Sequence, residues 1–176
     1  MRRIIWIIAS ITVVAIGLYI YTAGSDTQGD EDETVEAARE NSGGTVTEED
    51  LEEFAEQGLN PFGLSKSQEE LTDIDYREYI HGMSHQKVDA SEKWGFYEIT
   101  DSRIQWLLDG LGLEDNKREL TDLDVYKDIL ERWKAGDFSR VDEDHNVIWE
   151  MQGGTVGRAT GILSPEEEQE YLQSRE

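Results

Sequence analysis

An uncharged apolar run from Ile4 to Tyr21, preceded by Arg2 and Arg3, constrains this chain more than any other stretch. A helix needs roughly 20 apolar residues to cross a bilayer, and this run is close to that length. Trp6, Tyr19 and Tyr21 suit the two interfaces, and the paired arginines favour the cytoplasmic side. The sequence therefore predicts a single-pass signal-anchor over residues 1–23 in the cell membrane, N-terminus cytoplasmic and C-terminal domain extracytoplasmic. A cleaved signal peptide is the alternative. Its apolar core is usually about 7–15 residues and ends at a small-x-small site, of which Ala23-Gly24-Ser25 is a weak version. Both readings export the residues that follow.

Residues 24–45, GSDTQGDEDETVEAARENSGGT, are too polar and acidic to offset the entropy of ordering. They read as a flexible linker of about 22 residues with a root-mean-square reach of roughly 25 Å. The acidity continues through the chain. Forty Asp and Glu oppose 16 Lys and Arg, a net charge of −24. Such a surface repels phosphate backbones, so no nucleic-acid partner is expected. Solubility is the simplest use of the charge, and cations or basic peptides are the partners it favours. Cysteine is absent, which excludes disulfides, thiol catalysis, cysteine-ligated zinc and a lipid-modified cysteine anchor.

From residue 46 to 176 the pattern is helical. Thr47 before Glu48, Glu49 and Asp50 is a helix start, with Leu51, Phe54 and Ala55 on one face. A second helix runs from about Ser67 towards Val88, and Thr100 caps a third carrying Ile104, Leu107, Leu108 and Leu111. A fourth begins at Thr121 with Tyr126, Ile129, Leu130 and Trp133 inward. A fifth covers Val141 to Met151 with Val141, Ile148 and Trp149 inward. Ser164-Pro165-Glu166-Glu167 opens the last, in the order cap, N1 proline, acidic first turn. Trp94, Trp106, Trp133 and Trp149 are assigned to the core. No segment alternates as a strand would; Trp94–Ile99 is the nearest. The expected fold is mainly α: an N-terminal transmembrane helix plus a small extracytoplasmic domain of about five or six helices.

Two of the three histidines stand four apart in HGMSHQK, residues 81–87. On a helix, Leu71, Ile74, Glu78, His81, His85 and Val88 form one stripe, so Glu78, His81 and His85 could address a single point. Neutral imidazole binds Zn and other divalent transition ions, and a carboxylate adds a hard ligand. Asp142-x-x-His145 has similar spacing, which makes His81, His85 and His145, with Glu78 or Asp142, the candidate metal ligands. Gly82 weakens the helix between them. His81 is followed by glycine, so the zincin glutamate is missing.

Other motifs are weaker. Asp142, Asp144 and Asn146 imitate the start of an EF-hand, but Val147 and Gly153 occupy the places that need Gly and Glu. GGTVGRATG, residues 153–161, lacks the Gly-Lys-Ser/Thr of a P-loop and reads as a tight connection, with Arg158 able to hold a carboxylate. Ser84, Ser102 and Ser139 lie in no nucleophile motif, and no catalytic residue is assigned.

The runs HGMSHQKVDASEKWGFYEIT and ILERWKAGDFSRVDEDHNVIWEMQGGTVGRATG resemble an uncharacterised family of membrane-anchored proteins from Gram-positive, spore-forming bacteria, classed as a domain of unknown function. The likeness covers roughly residues 65–175. It implies an extracytoplasmic domain on a single-pass anchor and transfers no catalytic residue. It draws attention to His85, Gln86, Lys87, Trp94, Arg132, Trp133, Asp137, His145, Asn146, Trp149, Gln152, Gly153 and Gly154, and a polar network linking His85 to the Asp144-His145-Asn146 turn would suit them without metal. The leading expectation is a non-enzymatic module that binds an envelope protein or cell-wall component. The alternative is a metal-binding or metal-dependent protein, and a cell-wall hydrolase is the weaker third. The sequence assigns no oligomeric state.

Overall fold

The computed structural model describes residues 44–175. The expected membrane segment and most of the linker lie outside the described residues. Among the described residues, no helix is long and apolar enough to cross a membrane.

Among the described residues, seven α-helices and two short strands follow one another: α1 (Glu48–Glu56), α2 (Asp73–Ser84), β1 (Val88–Ala90), α3 (Asp101–Leu111), α4 (Asn116–Glu119), α5 (Leu123–Lys134), α6 (Val141–Met151), β2 (Ala159–Ile162) and α7 (Pro165–Gln173). A single 3-10 turn, Gln68–Glu70, precedes α2. The helix starts follow local chemistry. Thr47 Oγ1 accepts from Asp50 N–H while the Asp50 carboxylate accepts from Thr47 N–H, a reciprocal cap. Thr100 and Ser164 cap α3 and α7 as their sequences predict. The second helix is shorter than expected. It begins after Thr72 and stops at Ser84, with His85 as its C-cap, so Val88 is a strand residue.

The described residues are mainly helical, as expected, and the two short strands are the part that was not foreseen. β1 and β2 pair antiparallel, Val88 opposite Ile162 and Asp89 opposite Gly161, with the register shifting before Ala90. Segments of three and four residues are too short to show a period of two, so their pairing comes from packing against α6 and not from sequence pattern. Trp94–Ile99, the expected nearest strand, is irregular.

The core is aromatic. Phe62 stacks on Tyr79 at 3.9 Å between ring centroids, and Tyr76 stacks on Tyr126 at 5.3 Å. Ile80, Met83, Leu107, Leu130, Trp133 and Ile148 fill the space around them. Of the four tryptophans assigned to the core, only Trp133 is buried; Trp106 and Trp149 are half-buried, and Trp94 is 75% exposed. Trp149 lies over Gly154 and donates its indole N–H to Val156 O, so its polar edge holds the turn before β2.

Gly82 has a packing reason. A Cβ there would stand 2.7 Å from Tyr97 Cδ2. Helix propensity alone would make Gly82→Ala stabilising by about 1 kcal/mol. Because the site is already filled by the Tyr97 ring, the substitution is expected instead to destabilise by about 1–3 kcal/mol, measured by urea unfolding. A gain in stability would show that the ring moves aside freely.

Candidate metal centre

The stripe Leu71, Ile74, Glu78, His81, His85 and Val88 does not form one buried face. Ile74 is 71% exposed and Glu78 is exposed, whereas His81 is half-buried and His85 is buried. The difference lies along the helix axis. α6 covers α2 at its C-terminal end, where His145 meets His81 and His85. Glu78, one turn earlier, faces solvent and stands outside the group of converging ligands. His85 stays with His81 because its cap backbone is still helical, φ −55° and ψ −25°.

His81, His85 and His145 bring their ligand nitrogens within 4.8 Å of one another. Ring centroids are 4.6 Å apart for His81 and His85, 4.5 Å for His81 and His145, and 5.3 Å for His85 and His145. The His81 and His145 Nε2 atoms are 3.0 Å apart. A tetrahedral ion with Zn–N bonds of about 2.0–2.1 Å would space its ligands about 3.3 Å apart, close to the 3.0 Å between the His81 and His145 Nε2 atoms.

The outer partners orient the rings. His85 Nδ1 lies 2.7 Å from Gly95 O; a carbonyl only accepts, so Nδ1 carries the proton and Nε2 has a free lone pair. His145 Nδ1 lies 3.2 Å from Asn146 Oδ1. That oxygen also accepts from Ala159 N–H at 2.8 Å while Asn146 Nδ2 donates to Ala159 O, so the His145 Nδ1 must donate too. Histidine ligands are held in this way at metal sites, with the remote N–H given to an oxygen. At His81 the nearby Gln152 side chain favours the protonated ring. Without a metal, the 3.0 Å contact between the two Nε2 atoms requires a proton on one of them, and His81 is the ring left to supply it. A divalent ion on His81 Nε2 would take the place of that proton.

Burial is the first cause that lowers the basicity of all three rings. His81 is pushed down to about 4, with His145 adding to the shift, and His85 to about 3, partly opposed by the bond to Gly95. His145 is lowered too, with Lys93 and Arg158 nearby and Asp142 acting in the opposite sense. The rings are therefore neutral at pH 7, the form a metal needs. In the unfolded chain they titrate near 6.5. The folded state then binds fewer protons, so their stabilising contribution is complete above about pH 6.5 and is lost as pH falls towards 4 and 3. The metal-free protein is expected to lose urea resistance between pH 6.5 and 5, before most carboxylates titrate. A flat stability profile over that interval would contradict neutral, buried rings.

The remaining sequence candidates are engaged elsewhere. Asp144 accepts from both Arg132 nitrogens, at 2.6 and 3.0 Å, and from Trp133 Nε1 at 3.1 Å. Gln86 and Lys87 both reach Glu168 at 2.7 Å and tie α7 to the end of α2. Asn146 pins β2 through Ala159. Arg158 is exposed, 3.9 Å from Glu150. Ser84 Oγ donates to His81 O. Of the suggested polar network, His85, His145 and Asn146 meet in the histidine cluster, while Gln86, Lys87 and Asp144 serve as separate structural ties. Sequence reasoning missed the roles of Gly95 and Lys93. A backbone carbonyl leaves no residue-type signal, and Lys93, which donates to His85 O at 2.9 Å, looks like any surface lysine.

Residues 80–173 match the family of unknown function DUF6241, and the chain belongs to that family. All three histidines fall within the matched segment. No curated protein matches the chain, and no solved structure does.

Proposed function

We propose that this protein binds a divalent late transition ion, Zn²⁺ first among them, through His81, His85 and His145, on a domain tethered outside the cytoplasm by the N-terminal apolar segment. The observation that carries the metal reading is the convergence of three ligand nitrogens from two helices within 4.8 Å. The tautomers fixed by Gly95 and Asn146 support it. Three imidazoles suit Zn, Cu, Ni or Co and do not suit Mg or Ca, which take oxygen ligands. The tether rests on the length of Ile4–Tyr21 and on Arg2 and Arg3 before it.

A binding module for an envelope protein or wall component is the second reading. It is favoured by Trp94, a large aromatic that is 75% exposed. The two readings are compatible, because Gly95, next to Trp94, is held by the His85 ring.

Competition for Zn²⁺ against a chromophoric chelator tests the metal reading. One equivalent is expected to bind the full chain. His81→Ala is expected to weaken binding by more than the roughly 10–100-fold typical of losing an outer partner. His81 is the right position because it is half-buried and has fewer structural ties than His85 or His145. Equal binding by wild type and variant would reject the site.

A further inference from the structure

We propose that the ion held by His81, His85 and His145 keeps its fourth position open and takes an anionic oxygen there, hydroxide from water or a monodentate carboxylate. This rests on the metal reading above and deepens it. Structural zinc sites are closed by four protein ligands, whereas three protein ligands leave a position for solvent or substrate.

Among the described residues, the converging group consists of the three histidines alone. The nearby acids are not aimed at it. Asp144 is held by Arg132 and Trp133, Glu78 faces solvent at the uncovered end of α2, and Asp142 is half-buried on the first turn of α6. Three neutral imidazoles leave the full divalent charge uncompensated, and an anion supplies what the protein does not.

The surroundings favour the same ligand. Lys93 donates to His85 O, and Lys93 and Arg158 act electrostatically on His145 against the single carboxylate of Asp142, in a chain whose net charge is −24. Lys93 is held in place by its bond to His85 O and by the Tyr171 ring, 4.0 Å below its ammonium. Access is from the side of His81, the one ring of the three that is not fully buried, and the exposed Gln152 acts on that ring. Gln152 is also the competing answer, since its amide oxygen could itself close the fourth position.

Cobalt substitution separates these arrangements, because the visible bands of Co²⁺ report its coordination. The full chain loaded with Co²⁺ is titrated with acetate and, separately, with azide. The open site predicts a saturable shift of the bands with each anion, retained in Gln152→Ala. Bands present but unmoved by either anion would overturn the open position. If Gln152→Ala then became anion-sensitive, Gln152 would be the fourth ligand. Absence of a protein-bound Co²⁺ spectrum, with or without anion, would instead reject the metal centre itself.

Discussion

Zinc is expected to raise the thermal unfolding midpoint of this protein by about 10 °C when free Zn²⁺ is a hundredfold above its dissociation constant. The figure follows from linkage. An ion that binds only the folded state at that excess adds about 2.7 kcal/mol, and a domain of this size gains roughly 3–5 °C for each of them. The folded state alone brings α2 and α6 together; the unfolded chain has His145 sixty-four positions from His81 and offers no preformed site. The effect should be absent in His81→Ala, and Mg²⁺ or Ca²⁺ should not reproduce it in the wild type. A scan of near-ultraviolet circular dichroism against temperature reads the shift directly. An equal shift in wild type and His81→Ala would place the binding elsewhere.

The second large effect concerns Asp144. Its side chain is 3% exposed and receives three hydrogen bonds, two from Arg132 and one from the buried Trp133 indole. Asp144→Ala leaves the indole N–H without its acceptor and Arg132 with only the longer contact to Asp128 at 3.3 Å. Removing one member of a buried pair typically costs about 3–5 kcal/mol, and here the buried Trp133 indole N–H loses its acceptor while Arg132 keeps Asp128. Urea unfolding should show that loss. Asp144→Asn should lose less, since the amide oxygen can still accept from Trp133. Metal bound per folded molecule should not change in either variant. A loss below about 1 kcal/mol would show that solvent reaches Arg132 and Trp133 easily.

The sequence foretold these features unevenly. Helix starts were legible where a side chain itself makes the bond, as at Thr47, Thr100 and Ser164, and the bounds of α6 followed from its apolar spacing. The start of α5 fell two residues late, after Asp122, because Asp73 draws Thr121 into a long-range contact. The pairing of β1 with β2 was not legible, since three residues have no period. His81 and His85 could be recognised as neighbours from their spacing alone. That His145 joins them depends on α6 covering the end of α2, a tertiary fact. The same fact strands Ile74 and Glu78 in solvent, although a helical wheel places them with the histidines. By helix propensity Gly82 is a weak point, and in the fold it is the seat of the Tyr97 ring.

Elemental mass spectrometry of the purified chain, beside His81→Ala, tests the central claim most directly. The account predicts close to one equivalent of zinc or a neighbouring transition metal in the wild type after exposure to metal and removal of excess, and a marked loss in the variant. A metal-free wild type that remains folded, or a variant that holds as much metal as the wild type, would contradict it.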